Sequence, residues 1–90
     1  DMIKTAGSNV SPAEVEMEMQ ALDGVHAAYV LGLPDAERGQ LLVAAVVPRD
    51  GASLDFEAIQ KELRQKLSAY KVPRAYELFQ RDEVPLLHSN

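Results

Sequence analysis

The apolar and polar positions change period several times along the chain. Val15, Met19 and Leu22 recur at i, i+4 and i+7, with Glu14, Glu16, Glu18 and Gln20 mostly elsewhere. That spacing predicts an amphipathic helix from about Pro12 to Leu22. Ser11 suits its N-cap and Pro12 its first helical position, and Glu14, three residues after the serine, completes a capping box. Asp23-Gly24 ends the pattern, glycine being suited to the left-handed position past a helix terminus. From Val25 to Leu33 the period becomes two. Ala27, Tyr29, Leu31 and Leu33 lie on one face, and Ala28 and Val30 keep the other face apolar. This predicts a strand central in its sheet. After the polar turn 34–39, Gln40 to Val47 is a second strand, apolar on both faces and stopped by Pro48 and Arg49-Asp50-Gly51. The short loop between these strands predicts antiparallel pairing.

A second helix, about Phe56 to Leu67, carries the stripe Phe56, Ile59, Leu63 and Leu67, with Ser53 or Asp55 as its cap. Tyr70-Lys71-Val72-Pro73-Arg74 breaks it. Ala75 to Phe79 is a third short strand, followed by a polar turn (Gln80 to Glu83) and the apolar Val84-Pro85-Leu86-Leu87. Ahead of all this, Ile3 and Val10 enclose a lone lysine, small residues and Gly7. That reads as a tight β-hairpin with Lys4 and Asn9 on its two arms. The fold class is α+β: helices flanking a small, roughly three-stranded, mainly antiparallel sheet, with an N-terminal β-hairpin.

Composition narrows the function. The 90 residues make one small domain, residues 1–90. A net charge of −5 argues against a nucleic-acid surface, which needs a basic patch. Cysteine is absent, so neither a disulfide framework nor a thiolate metal site exists, which fits a reducing cytoplasmic setting. No apolar run approaches a membrane span and no signal-like start is present. The opening Asp1-Met2-Ile3-Lys4 and the ending His88-Ser89-Asn90 raise the expectation of a domain belonging to a longer chain.

No full catalytic set stands out. His26 and His88 have no partners at metal-ligand spacing and read as surface or half-buried residues. Ser11 and Ser53 are accounted for as helix caps. Lys4 is the residue with unexplained chemistry: a point charge suited to a phosphate or carboxylate, placed across a hairpin from Asn9, which both donates and accepts hydrogen bonds. A solvated turn explains the same residues, and the pattern alone leaves both readings open.

The order of motifs, however, resembles the C-terminal domain of adenylate-forming enzymes, the superfamily of acyl-CoA synthetases, peptide-synthetase adenylation domains and firefly luciferase. The opening is similar to its Asp-x-Ile-Lys-x-x-Gly-x-x-Val/Ile-x-x-x-Glu-Val/Ile-Glu signature through Asp1, Ile3, Lys4, Gly7, Val10, Glu14, Val15 and Glu16. Val30-Leu31-Gly32-Leu33-Pro34-Asp35, then Arg38-Gly39-Gln40 and Ala44 or Ala45-Val46-Val47, resemble its Gly-x-Pro-Asp…Gly-Glu…Ala-x-Val segment. Tyr70-Lys71-Val72-Pro73 resembles its Tyr-Lys-x-Pro turn. Val84 to Asn90 falls where the family has Leu-Pro-x-Thr-x-x-Gly-Lys, with Leu87 in place of Thr and Asn90 in place of Gly. The family's adenylation lysine would follow Asn90, and its hinge residue would fall just before Asp1.

The resemblance implies an ATP-dependent acyl-CoA synthetase that needs Mg2+ and coenzyme A. A carboxylic acid substrate is joined to AMP in a large N-terminal domain. The small domain then turns its hairpin toward the site for thioester formation. Lys4 and Asn9 would act in that step, and Gly7 and Ser8 would admit the pantetheine arm of coenzyme A. Without its large partner domain, residues 1–90 are expected to be inactive and to bind none of these cofactors tightly. Two rivals stay in view. A carrier-loading adenylation module would differ in the thiol it accepts, and a stand-alone α+β binding or regulatory module would lack a catalytic partner domain.

Overall fold

The computed structural model describes residues 2–80. In chain order the elements are β1 (Ile3–Thr5), β2 (Ser8–Val10), α1 (Pro12–Gln20), β3 (Val25–Asp35), β4 (Gly39–Pro48), α2 (Phe56–Lys66), a 3-10 turn (Ala69–Lys71) and β5 (Ala75–Leu78). The predicted class holds: β1 and β2 form a separate hairpin, and β3, β4 and β5 form a three-stranded sheet in that order. The β3–β4 pair is antiparallel over its length, with Val30 opposite Ala44 and Asp35 opposite Gly39. The β4–β5 pair is parallel, Val43 opposite Ala75. That direction follows from the connection, because α2 carries the chain back to the starting end before β5 begins.

The strand order corrects one expectation. β3 is an edge strand, and β4 occupies the centre. Both strands are apolar on two faces, but β4, flanked by a strand on each edge, is the more buried: Leu42, Ala44, Ala45, Val46 and Val47 are all buried, whereas Leu31 and Leu33 of β3 are exposed. The free edge of β3 is partly occupied by α1, whose Glu16 Oε2 accepts a hydrogen bond from the Val30 N–H at 2.8 Å. A carboxylate there satisfies a backbone donor that a neighbouring strand would otherwise take.

Both helices pack on one side of the sheet. Val15 and Met19 of α1 and Ile59 and Leu63 of α2 meet Ala28, Val30, Leu42, Ala44 and Val46 in a single core. Ile3 and Val10 of the hairpin belong to this same core. Asp55, not Ser53, caps α2, its Oδ1 accepting from the N–H groups of Glu57 (3.0 Å) and Ala58 (3.5 Å). Only one arm of the predicted capping box forms at α1. Ser11 Oγ accepts from the Glu14 N–H at 3.3 Å, but the Glu14 carboxylate turns to Lys71 Nζ, 3.1 Å away, a charge-assisted partner stronger than a neutral amide. Among the described residues no helix is long and apolar enough to cross a membrane. The expected turn at Gln80 to Glu83 and the apolar Val84 to Leu87, together with His88 and Asn90, lie outside the described residues beyond Gln80.

Candidate functional site

The hairpin is built by a two-residue turn. Ala6 (φ 52°) and Gly7 (φ 83°) both take positive φ, the geometry whose twist matches the flanking strands. Register follows from the turn: Thr5 faces Ser8, Lys4 faces Asn9 and Ile3 faces Val10. Side chains alternate across a strand, so burying Ile3, Thr5 and Val10 turns Lys4 and Asn9 outward together. The two predicted site residues are therefore cross-strand neighbours on one exposed face. Among the described residues, neither the Lys4 ammonium nor the Asn9 side-chain amide has a hydrogen-bond partner.

Gly7 sits at the tip with open space around it, since a Cβ added there would meet nothing within 4 Å. Ser8 is half-buried beside it. Lys4, Asn9 and the Gly7 tip thus form one exposed patch of a cation, an amide that can donate or accept, and bare backbone, whereas Ser8, opposite Thr5, turns its hydroxyl to the other face of the hairpin. Such a patch can hold an anionic or carbonyl-containing ligand at its surface. His26, by contrast, is exposed at the start of β3, away from the hairpin. Among the described residues no group of His, Asp or Glu is placed to hold a metal ion.

The hairpin is also tied to the main sheet, through contacts that the sequence did not signal. Gln40 Oε1 accepts from the Lys4 N–H at 2.9 Å, and the Arg38 carbonyl accepts from the Ala6 N–H at 2.9 Å. The Asp35 carboxylate shapes the β3–β4 turn beneath by accepting from the Glu37 and Arg38 N–H groups. Gly32 supplies the room, because a Cβ there would lie 2.7 Å from Ile3 Cγ2 and 2.7 Å from Gln40 Nε2. A glycine inside an otherwise apolar strand, between Leu31 and Leu33, was the available hint of a close approach.

Known proteins align with the chain along almost its full length. It is 43% identical over 81 residues to a feruloyl-CoA synthase from Amycolatopsis sp, covering 90% of this chain and 16% of that protein. It is 39% identical over 85 residues to a long-chain-fatty-acid–CoA ligase from Bacillus subtilis (strain 168), covering 94% of this chain and 15% of that one. The ATP-bound crystal structure of MatB from Rhodopseudomonas palustris superposes with a TM-score of 0.84 at 34% identity, covering 88% of this chain and 16% of that one. The chain therefore spans about one-sixth of the length of these relatives. Residues 14–90 match the AMP-binding enzyme C-terminal domain, and the chain belongs to that family.

Proposed function

We propose that this chain serves as the C-terminal domain of an ATP-dependent acyl-CoA synthetase and carries the face used for thioester formation. In the first half-reaction a carboxylate oxygen attacks the α-phosphorus of ATP, giving an acyl-adenylate and pyrophosphate. In the second, the thiol sulfur of coenzyme A attacks the acyl carbon, the C–O bond to AMP breaks, and the thiol proton is released. ATP, Mg2+ and the carboxylic acid would be held by the large N-terminal domain of the same polypeptide, working in the cytoplasm. The names of the curated relatives, both CoA ligases, favour coenzyme A over a carrier protein as the thiol.

The observation that carries this reading is the outward pairing of Lys4 with Asn9 on a hairpin whose inner residues are locked in the core. The Lys4 ammonium balances negative charge on the leaving AMP or on coenzyme A. Asn9 hydrogen-bonds the mixed-anhydride or thioester region. Gly7 and Ser8 give the pantetheine arm a path close to backbone. Positioned cations and donors of this kind act where charge develops during acyl transfer.

The test uses the full-length enzyme and its two half-reactions. Lys4→Ala is expected to slow thioester formation by at least about tenfold while pyrophosphate exchange changes by less than about twofold. An equal loss in both half-reactions would remove the assignment.

A further inference from the structure

We infer that Gln40 is a positioning residue for the hairpin: its side-chain oxygen fixes the Lys4 backbone, and so sets where the Lys4 ammonium is delivered. The inference rests on the reading of Lys4 given above.

The geometry starts with the hairpin ladder. Across the Ala6-Gly7 turn, Thr5–Ser8 and Ile3–Val10 are the pairs that exchange backbone hydrogen bonds, and Lys4–Asn9 is the non-bonded pair between them. The Lys4 and Ala6 N–H groups therefore point away from β2, toward the start of β4. The Ala6 N–H finds a backbone acceptor, the Arg38 carbonyl. The Lys4 N–H finds a side chain instead, Gln40 Oε1 at 2.9 Å. Direct strand pairing stops there, and one amide oxygen bridges the remaining gap.

Gln40 is held in turn. Its Nε2 lies where a Cβ on Gly32 would come within 2.7 Å, and Ile3 Cγ2 fills the other side of the same space. The three residues come from β1, β3 and β4, so the seat exists only when hairpin and sheet are docked. Lys4 has a long, exposed side chain with its own rotamer freedom, so the backbone anchor is what limits its reach. A misplacement of about 1 Å in a positioned group can cost up to about 10²-fold in rate.

The experiment compares Gln40→Leu, Gln40→Glu and Lys4→Ala in the full-length enzyme. Thioester formation and pyrophosphate exchange are measured, together with hydrogen exchange of the peptide spanning residues 2–10. Gln40→Leu removes the acceptor and is expected to slow thioester formation by about tenfold or more relative to pyrophosphate exchange, and to speed amide exchange in that peptide. Gln40→Glu keeps an acceptor oxygen and is expected to restore both. If Lys4→Ala slows the thioester step selectively while Gln40→Leu leaves it intact, the Gln40 inference falls and the reading of Lys4 stands. If Lys4→Ala slows both half-reactions equally, the reading of Lys4 falls; faster exchange in Gln40→Leu then still supports the anchoring, and unchanged exchange overturns it. Failure of Gln40→Glu to restore either readout also overturns it.

Discussion

Lys71 and Glu14 lie 57 positions apart in the chain, and Lys71 Nζ sits 3.1 Å from one Glu14 carboxylate oxygen and 3.3 Å from the other. The pair links the first turn of α1 to the 3-10 turn after α2. It also joins two stretches that carry separate family signatures, the Glu of the opening motif and the Lys of Tyr-Lys-x-Pro. Both motifs are thus parts of one contact.

The pair is half-exposed, with side-chain exposures of 23% for Lys71 and 45% for Glu14, so its contribution is small. Lys71→Met is expected to lower stability by about 0.2–1 kcal/mol, with the loss shrinking as salt screens the pair. A double-mutant cycle with Glu14→Gln, read from urea denaturation at low and high salt, measures the coupling. A coupling that does not fall with salt would show that the pair acts through packing and not charge.

Glu16, a half-buried glutamate on the same helix, is expected to matter more. Its carboxylate accepts the Val30 N–H at 2.8 Å on the part-buried edge of β3. Glu16→Leu leaves that donor unsatisfied and is expected to cost about 1–3 kcal/mol, while Glu16→Gln keeps an acceptor and costs less. Chemical denaturation gives the ranking, and amide exchange at Val30 should rise only in the leucine variant.

Two glycines in the site region resist substitution for different reasons. At Gly7 a methyl group has open space but the wrong backbone, φ 83°, so Gly7→Ala is expected to cost about 1–2 kcal/mol and Gly7→Asn less. At Gly32 the contact is steric, since the added carbon meets Ile3 Cγ2 and Gln40 Nε2 at 2.7 Å. Gly32→Ala is expected to cost about 1–3 kcal/mol by overpacking and to loosen the hairpin. Amide exchange at Lys4, whose N–H is held by Gln40, checks the second case and should rise in Gly32→Ala through loss of the Gln40 seat.

Much of this was legible in the sequence because it is local. The period of Val15 and Met19, the Ser11-Pro12 start and the Gly7 turn each depend on neighbours within a few residues and form as read, although α1 stops at Gln20 and Leu22 enters the core from beyond the helix. Strand order did not follow, because β3 and β4 are both apolar on two faces and only the path of α2 decides which becomes central. Gln40, Glu14 and Glu16 were opaque for a related reason. Each is a polar side chain whose partner lies on another element, 36, 57 and 14 positions away, and no periodicity encodes such a meeting.

Tyr76 offers a change that should stabilise the fold. Its ring stacks on Phe56, centroids 5.4 Å apart, and its hydroxyl is buried without a hydrogen-bond partner among the described residues. Burial pushes the phenol pKa up from 10.0 to about 12, with the positive charge of Arg64 pulling partly the other way. Tyr76→Phe keeps the stacked ring and removes the unsatisfied group, so a gain of about 1 kcal/mol is expected near neutral pH. The pH dependence has a definite sign. Between pH 10.0 and about 12 the unfolded chain loses this proton while the folded chain keeps it, so the folded state binds more protons there. Stability from this group is intact below pH 10.0 and falls as pH rises toward about 12. Urea denaturation of both proteins across that range should show the advantage of Tyr76→Phe widening with pH. A phenylalanine variant that is less stable at neutral pH would mean that the hydroxyl has a partner in solution.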